Sequence, residues 1–331
     1  MQLYDLKDNK LTNVDSLLFK FEKEIQTIVE SNTELLFDLQ FICTEFKIGN
    51  FRFDSVCFDN ESNSFVIIEY KKDHSFSIID QGFSYLSTML EKKSDLILEY
   101  SEVTGNNLKK SDVDWSQSRV IFISTSFTSH QKNSVNFKDM PFQLWEIKKY
   151  SNNLITFNQY QSSSTESINS LSQSKFIKNV NKEIKIYGIN DLLKKSSNDI
   201  KNLWEKINKK ILFSEFEETK FIDKKLYRRF CCNNNETICY FNFRKNDIRI
   251  HILGGTIFSD NSKGKNYIEL NDFKNLTKRI EKIWEGYGDK HGKAGSGDAK
   301  NYVYEIFVEN ENNLDYIIDL LKQRYDSIMK N

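Results

Sequence analysis

The stretch FRFDSVCFDNESNSFVIIEYKKDHSFSIIDQGFSYLSTML, residues 51–90, decides how the chain is read. Its first segment, 51–58, and the run into Lys71 alternate or cluster apolar residues as strands do, and the polar turn Asp59–Ser64 joins them into a hairpin. Residues two apart on a strand share a face. Glu69 and Lys71 therefore project together, and Ile68 and Tyr70 point the other way. Charge at the end of the buried-type run Phe65-Val66-Ile67-Ile68 is out of place unless something uses it. Residues 78–93 then follow helical spacing, with Phe83, Leu86 and Leu90 inward.

Upstream, residues 13–30 carry Leu17, Leu18, Phe21, Ile25, Ile28 and Val29 at helical spacing, with Asn13 or Asp15 as candidate caps. Residues 40–47 read as a strand ahead of Gly49-Asn50. Downstream, 95–100 and 119–125 read as strands, and 142–150 with 154–160 as a second hairpin. Pro141, the single proline, precedes that strand where its missing N–H matters least. Residues 161–185 are rich in Ser, Asn and Gln and read as a linker. A second unit begins near 189 with a strong helical pattern. A meander over 226–253, a helix over 271–286, a strand over 301–308 and a final helix over 313–329 complete it.

Asp54 and Glu69-Tyr70-Lys71 form D-x14-E-x-K. Phosphodiester hydrolysis needs carboxylates that hold a divalent cation against phosphate, with a cation or base to orient the attacking water. Two acids on adjacent strands and a lysine two residues on meet that need. Gln81 and Tyr85, at i and i+4, can face the same pocket. An upstream helix offers Glu24 or Glu30 as a further acid, their spacing fixing neither. An isolated E-x-K on a strand is more often a solvated cross-strand pair. Asp54, the apolar run into Glu69 and the helix bearing Gln81 turn the balance toward an active site. Arg52 is a candidate phosphate contact, though a surface salt bridge is the plainer reading.

This pattern resembles the PD-(D/E)xK nuclease superfamily, matched at Asp54, Glu69 and Lys71. The words Ile48–Asp54, Val66–Lys71 and Asp80-Gln81-Gly82 narrow the likeness to uncharacterised bacterial two-domain proteins. These pair a nuclease-like N-terminal domain with a C-terminal domain of unknown function, whose ending resembles GDKHGKAGSGDAKNYVYEIFVENENNLDYIIDLLKQRYD here. Phe53 stands where the superfamily often has proline. The resemblance implies an α/β fold with a restriction-endonuclease-like mixed sheet flanked by helices over 1–160. A Ser-rich linker, 161–185, and an α+β domain, 186–331, would follow. It implies a Mg²⁺-dependent endonuclease (Mn²⁺ as a substitute), with DNA favoured over RNA, acting in defence against foreign DNA or in repair. Asp54 and Glu69 would bind metal with the carbonyl of Tyr70; Lys71 would orient or activate water and stabilise the developing charge, and Gln81 would position the substrate or Lys71. The second domain would bind nucleic acid or a partner, or form a homodimer. The alternative is a catalytically inactive nuclease-like module that binds nucleic acid or a protein.

The rest of the sequence offers no rival site. Residues 286–298 are Gly-rich and basic, with Lys290 and Lys293 as candidate substrate contacts, but their spacing fails a Walker A loop. No nucleophile elbow or HExxH is present. Five cysteines without a C-x-x-C pair argue against structural zinc and a disulfide scaffold. The chain carries 47 Lys+Arg against 47 Asp+Glu, which lacks the basic excess of many polyanion binders. No run of roughly 18–20 apolar residues suits a membrane span, and the N-terminus lacks the pattern of a signal peptide. A cytoplasmic protein without a membrane role is expected.

Overall fold

A computed structural model describes residues 3–72, 77–162, 164, 166–168, 175–258, 260–264, 267–281 and 299–330. The chain divides into two compact units, Met1–Ile186 and Tyr187–Asn331.

The first unit opens with a small hairpin of β1 (Leu3–Lys7) and β2 (Lys10–Val14). β3 (Ser16–Leu17), α1 (Glu22–Glu30) and α2 (Thr33–Phe37) follow. Then come β4 (Gln40–Ile48), β5 (Phe51–Asp59), β6 (Ser64–Lys71), α3 (Ile78–Glu91) and α4 (Lys93–Thr104). β7 (Arg119–Ser124), α5 (Ser129–Ser134), β8 (Phe142–Tyr150), β9 (Ile155–Tyr160) and α6 (Lys175–Glu183) complete it. The main sheet is seven-stranded, in the order β3-β8-β7-β6-β5-β4 with β9 beside β8. β4, β5 and β6 run antiparallel, whereas β6-β7 and β7-β8 are parallel, so the sheet is mixed.

β6 lies in its middle and is buried on both faces, which is why its sequence is nearly continuous in apolar residues. Val66, Ile68 and Tyr70 pack with Ile25 and Val29 of α1. Phe65 and Ile67 pack on the other face with Phe83, Leu86 and Met89 of α3. The β5–β6 turn is pinned by Asp59, whose Oδ1 accepts the N–H groups of Glu61 and Ser62 at 3.0 Å. Its Oδ2 accepts Arg119 from β7 at 3.0 Å. That pinning fixes the register of the hairpin.

Three expectations change here. Residues 95–100 are helical, not a strand, because Leu96 and Tyr100 pack inward at i, i+4 spacing. The helix expected over 13–30 begins only at Glu22, with β2 and β3 ahead of it and no side-chain cap. Part of the expected linker belongs to the first unit: α6 lies within it, and Ile168, Val180 and Ile184 enter that unit's core.

The second unit comprises α7 (Ile189–Leu192), α8 (Asn198–Phe213), β10 (Thr219–Asp223), β11 (Arg228–Cys232), β12 (Thr237–Phe243), β13 (Ile248–Phe258), β14 (Lys278–Glu281), β15 (Ala299–Val308) and α9 (Leu314–Met329). Its strands form an antiparallel sheet in the order β10-β11-β12-β13-β15-β14. α8 and α9 pack against one face through Trp204, Ile207, Leu320 and Leu321. The helix expected from 271 is absent from the described residues. Asp272 instead accepts Thr277 N–H at 2.6 Å, Asn275 takes φ +52, and the chain turns into β14. Among the described residues, no helix is long and apolar enough to cross a membrane.

Candidate active site

The hairpin carries Asp54 and Glu69, and strand alternation puts Asp54 on the face of Val56 and Phe58 and Glu69 on that of Phe65 and Ile67; Phe53 departs from the alternation. β4 pairs Thr44 with Ser55 and Phe46 with Phe53, and the ladder passes over Glu45 and Asp54 between them. Pairing of β5 with β6 runs from Ser55–Ile68 to Asp59–Ser64. Glu45 sits at φ +53, a left-handed conformation that costs a non-glycine residue on the order of 1 kcal/mol. The strand is thus irregular at the acid, and Phe53 and Val56 both enter the core beneath α3. Interruptions of this kind re-aim side chains.

Two neighbours take over the hydrogen bonds of Asp54. The Tyr70 N–H donates to its Oδ2 at 3.1 Å, and Gln26 Nε2 on α1 donates to its main-chain carbonyl at 3.1 Å. Burial and then the charge of Glu69 push the Asp54 carboxyl up to about 7, against opposing pulls from the Tyr70 N–H and Lys71.

Glu69 is only 2% exposed. Its Oε1 accepts Lys71 Nζ at 2.6 Å and Gln81 Nε2 at 2.7 Å. Its Oε2 is buried with no hydrogen-bond partner among the described residues. A buried carboxylate oxygen left open costs roughly 1–3 kcal/mol or more. Burial pulls the Lys71 ammonium down, but Glu69, Asp54 and Glu22 outweigh it and hold Lys71 above the ordinary lysine value. Lys71 is a stable cation.

α3 delivers Gln81. Ser77 caps the helix by accepting Asp80 N–H at 3.3 Å. Gly82 lets it ride close on β8, where a Cβ would meet the Phe142 ring at 2.5 Å. Gln81 Nε2 also donates to Tyr85 Oη at 2.8 Å, and Tyr85 donates to the Arg52 carbonyl at 3.5 Å. Burial, then Glu69, raise the Tyr85 phenol above its usual range.

The structure therefore brings Asp54, Glu69, Lys71, Gln81 and Tyr85 together. The Tyr70 side chain points to the opposite face, its hydroxyl 3.0 Å from Ser55 Oγ. Glu30 lies behind the strands rather than with the acid pair: its Oε1 accepts Ser55 Oγ at 2.7 Å and Gln26 Nε2 at 2.9 Å. Glu24 is paired with Lys149 at 2.6 Å, and that pairing holds its carboxyl below the usual value. Arg52 makes the salt bridge that was its plainer reading, Nε to Glu45 Oε2 at 2.8 Å. Lys290 and Lys293 lie outside the described residues.

Sequence reasoning passed over three residues. Glu22 accepts Lys72 N–H at 2.8 Å and bears electrostatically on Lys71, so it is the α1 acid at this end of β6. Gln26, buried among Ile25 and Val29, was legible as a polar residue in an apolar stripe. Glu45 gave no signal, because nothing local marks a strand residue as left-handed.

Among the described residues no group of three or more His, Cys, Asp or Glu could hold a metal ion. The donor set is a carboxylate pair with an open, buried oxygen. Such a donor set would suit a hard cation.

No protein-family model matches the sequence. A protein of Haemophilus influenzae described as uncharacterised is 38% identical over 325 residues, spanning 98% of this chain and 99% of that one. The chain belongs to that protein's family. Two solved structures are also similar. A repair endonuclease from Pyrococcus abyssi shares 18% identity over 37% of this chain and 45% of its own, with a TM-score of 0.21. An EndoMS–double-stranded DNA complex shares 16% identity over 41% and 60%, also with a TM-score of 0.21.

Proposed function

We propose that the chain is a Mg²⁺-dependent endonuclease with a restriction-endonuclease-like first unit, hydrolysing phosphodiester bonds in DNA in preference to RNA. The observation that carries this reading is Glu69 Oε2, buried and open beside a second carboxylate that its own charge disturbs. A buried acid and a half-buried one brought together, the second with its protonation disturbed by burial and then by the first, mark a candidate functional site.

Asp54 and Glu69 would hold the cation, with the main-chain carbonyl of Tyr70 as a further donor and Mn²⁺ able to substitute. When bound, the ion supplies Lewis-acid polarisation of the phosphate and lowers the pKa of coordinated water. Lys71 stabilises the charge that develops on the phosphate and orients or activates the attacking water. Gln81 fixes Glu69 Oε1 so that Oε2 stays turned to the ligand. Tyr85 fixes Gln81 in turn. Arg52, released from Glu45, would meet a phosphate.

Plasmid and RNA cleavage across a Mg²⁺ and Mn²⁺ titration tests this, with Asp54→Ala and Lys71→Ala as controls. Metal-dependent cutting lost in both variants supports the enzyme. Absence of cutting on every DNA and RNA form would overturn it, and binding that survives both substitutions would leave a nucleic-acid-binding module.

A further inference from the structure

The second unit carries a feature that the pocket does not explain. Among the described residues, β14 is the edge strand of the six-stranded sheet and pairs with β15. On it, Lys278 and Arg279 are both exposed, and among the described residues neither has an acidic partner. Four cations of this unit are paired with acids: Lys206 with Glu311, Lys210 with Asp315, Arg228 with Asp223 and Arg249 with Glu305.

The Arg279 guanidinium lies over the Tyr302 ring at 4.2 Å and near the Tyr267 ring at 5.8 Å. Lys263 lies over the other end of this row, 4.6 Å from the Tyr267 ring, and also meets Glu269 at 3.7 Å. The row thus runs Lys263, Tyr267, Arg279, Tyr302. The fold builds it deliberately. A register shift on β13 puts Gly255, at φ +86, opposite Tyr302, so that neighbour offers no side chain to cover the ring. The segment after β13 is laid back along the strand by Gly264 N–H to Thr256 O and Ile268 N–H to Gly254 O, both 2.9 Å, which brings Tyr267 to its place. Tyr304, the next inward residue of β15, is by contrast sealed into the core, donating to Ile268 O at 3.3 Å.

We infer that the Lys263–Tyr267–Arg279–Tyr302 row, which has Glu281 as the β14 neighbour of Tyr302, is a binding platform for single-stranded nucleic acid. A guanidinium already laid on a ring presents its outer plane for a base to stack on and its N–H groups to a phosphate. Cations interleaved with rings along an edge match the alternation of phosphate and base along a strand. The choice of ligand rests on the nuclease reading of the first unit, but the binding does not depend on the catalytic acids.

The experiment is fluorescence anisotropy of a labelled oligothymidylate with the full chain, in chelator so that no cutting occurs. Arg279→Glu and Tyr302→Leu are expected to weaken binding by roughly fivefold or more each. Lys263→Gln is expected to make the dependence of log K on log salt shallower by about 0.7. Thermal midpoints of the variants show that the sheet is intact. Variants that match the wild-type affinity and salt slope would overturn the proposal, as would a wild type without affinity for the strand. Losses confined to a duplex probe would overturn the single-strand assignment. Asp54→Asn separates the two readings: it should keep wild-type binding here and lose cutting in the presence of Mg²⁺.

Discussion

The Gln26 side chain on α1 donates to the main-chain carbonyl of Asp54 at 3.1 Å, tying the first helix to the irregular point of β5. The same amide reaches Thr44 Oγ1 at 3.0 Å and Glu30 Oε1 at 2.9 Å. A carbonyl left aside by the strand ladder is thereby satisfied from behind the sheet. The acid on the front is held by this and by the Tyr70 N–H.

Replacing Gln26 with Leu keeps the volume and removes the donor. The stranded carbonyl should cost about 1–3 kcal/mol of stability. Cutting should fall on the order of tenfold, because small misplacements of catalytic groups are expensive. Denaturant midpoints and single-turnover cleavage check both, and unchanged cleavage would show that the back-side bond does not position Asp54.

The acid pair predicts a pH dependence of stability in the metal-free protein. The Asp54 carboxyl is raised from 3.8 to about 7 by burial and then by Glu69. Its protonated form is favoured in the folded state, so its contribution is full below the unfolded value and is lost as pH rises through about 7. Wild type should therefore lose stability relative to Asp54→Asn between about pH 4 and pH 8. Mg²⁺ should recover it at the upper end, since metal binds the deprotonated form. Parallel denaturation curves for wild type and Asp54→Asn across that range would contradict this.

Lys71→Met should separate metal affinity from chemistry. Removing the cation leaves Glu69 and Asp54 with uncompensated charge, so metal should bind as tightly or more tightly. Cleavage should fall by about 100-fold or more, the scale of losing a group aimed at developing charge. Calorimetric titration of Mn²⁺ alongside cleavage rates checks it. A parallel loss of metal binding would place Lys71 in the structure of the site rather than in its chemistry.

Gly82→Ala drives a methyl into the Phe142 ring, which Phe83 and Phe122 hold at 5.0 and 5.9 Å between centroids. Overpacking of this kind costs typically about 1–3 kcal/mol. The Tm should drop, and cutting should slow as Gln81 shifts from Glu69. A Tm equal to wild type would mean that α3 is free to move outward.

Glu24→Ala should leave cutting unchanged and cost at most about 1 kcal/mol, the scale of a partly exposed ion pair, since its partner Lys149 is itself half-buried. Glu22→Ala should instead affect cutting through Lys71. The two substitutions, compared in one cleavage assay, distinguish the α1 acid that serves the site from the one that only braces the sheet.

The sequence by itself determined the hairpin, the pairing of Glu69 with Lys71 on one face and the helix that brings Gln81 to them. Each follows from a local period of two or 3.6 residues. Residues 95–100 were misread because Leu96, Ile97, Leu98 and Tyr100 fit a strand as well as a helix. Only docking showed that Leu96 and Tyr100 face the same core. Likewise, composition alone could not reveal that Ile168, Val180 and Ile184 of the Ser-rich stretch are buried in the first unit. The choice of Glu22 over Glu24 and Glu30 at the Lys71 end depends on the angle at which α1 crosses the sheet. The turning of Phe53 into the core and the bonding of the Asp54 carbonyl by Gln26 depend on a left-handed Glu45 opposite them. Those are relations between segments distant in sequence, set by packing and hydrogen-bond satisfaction, and no local pattern carries them.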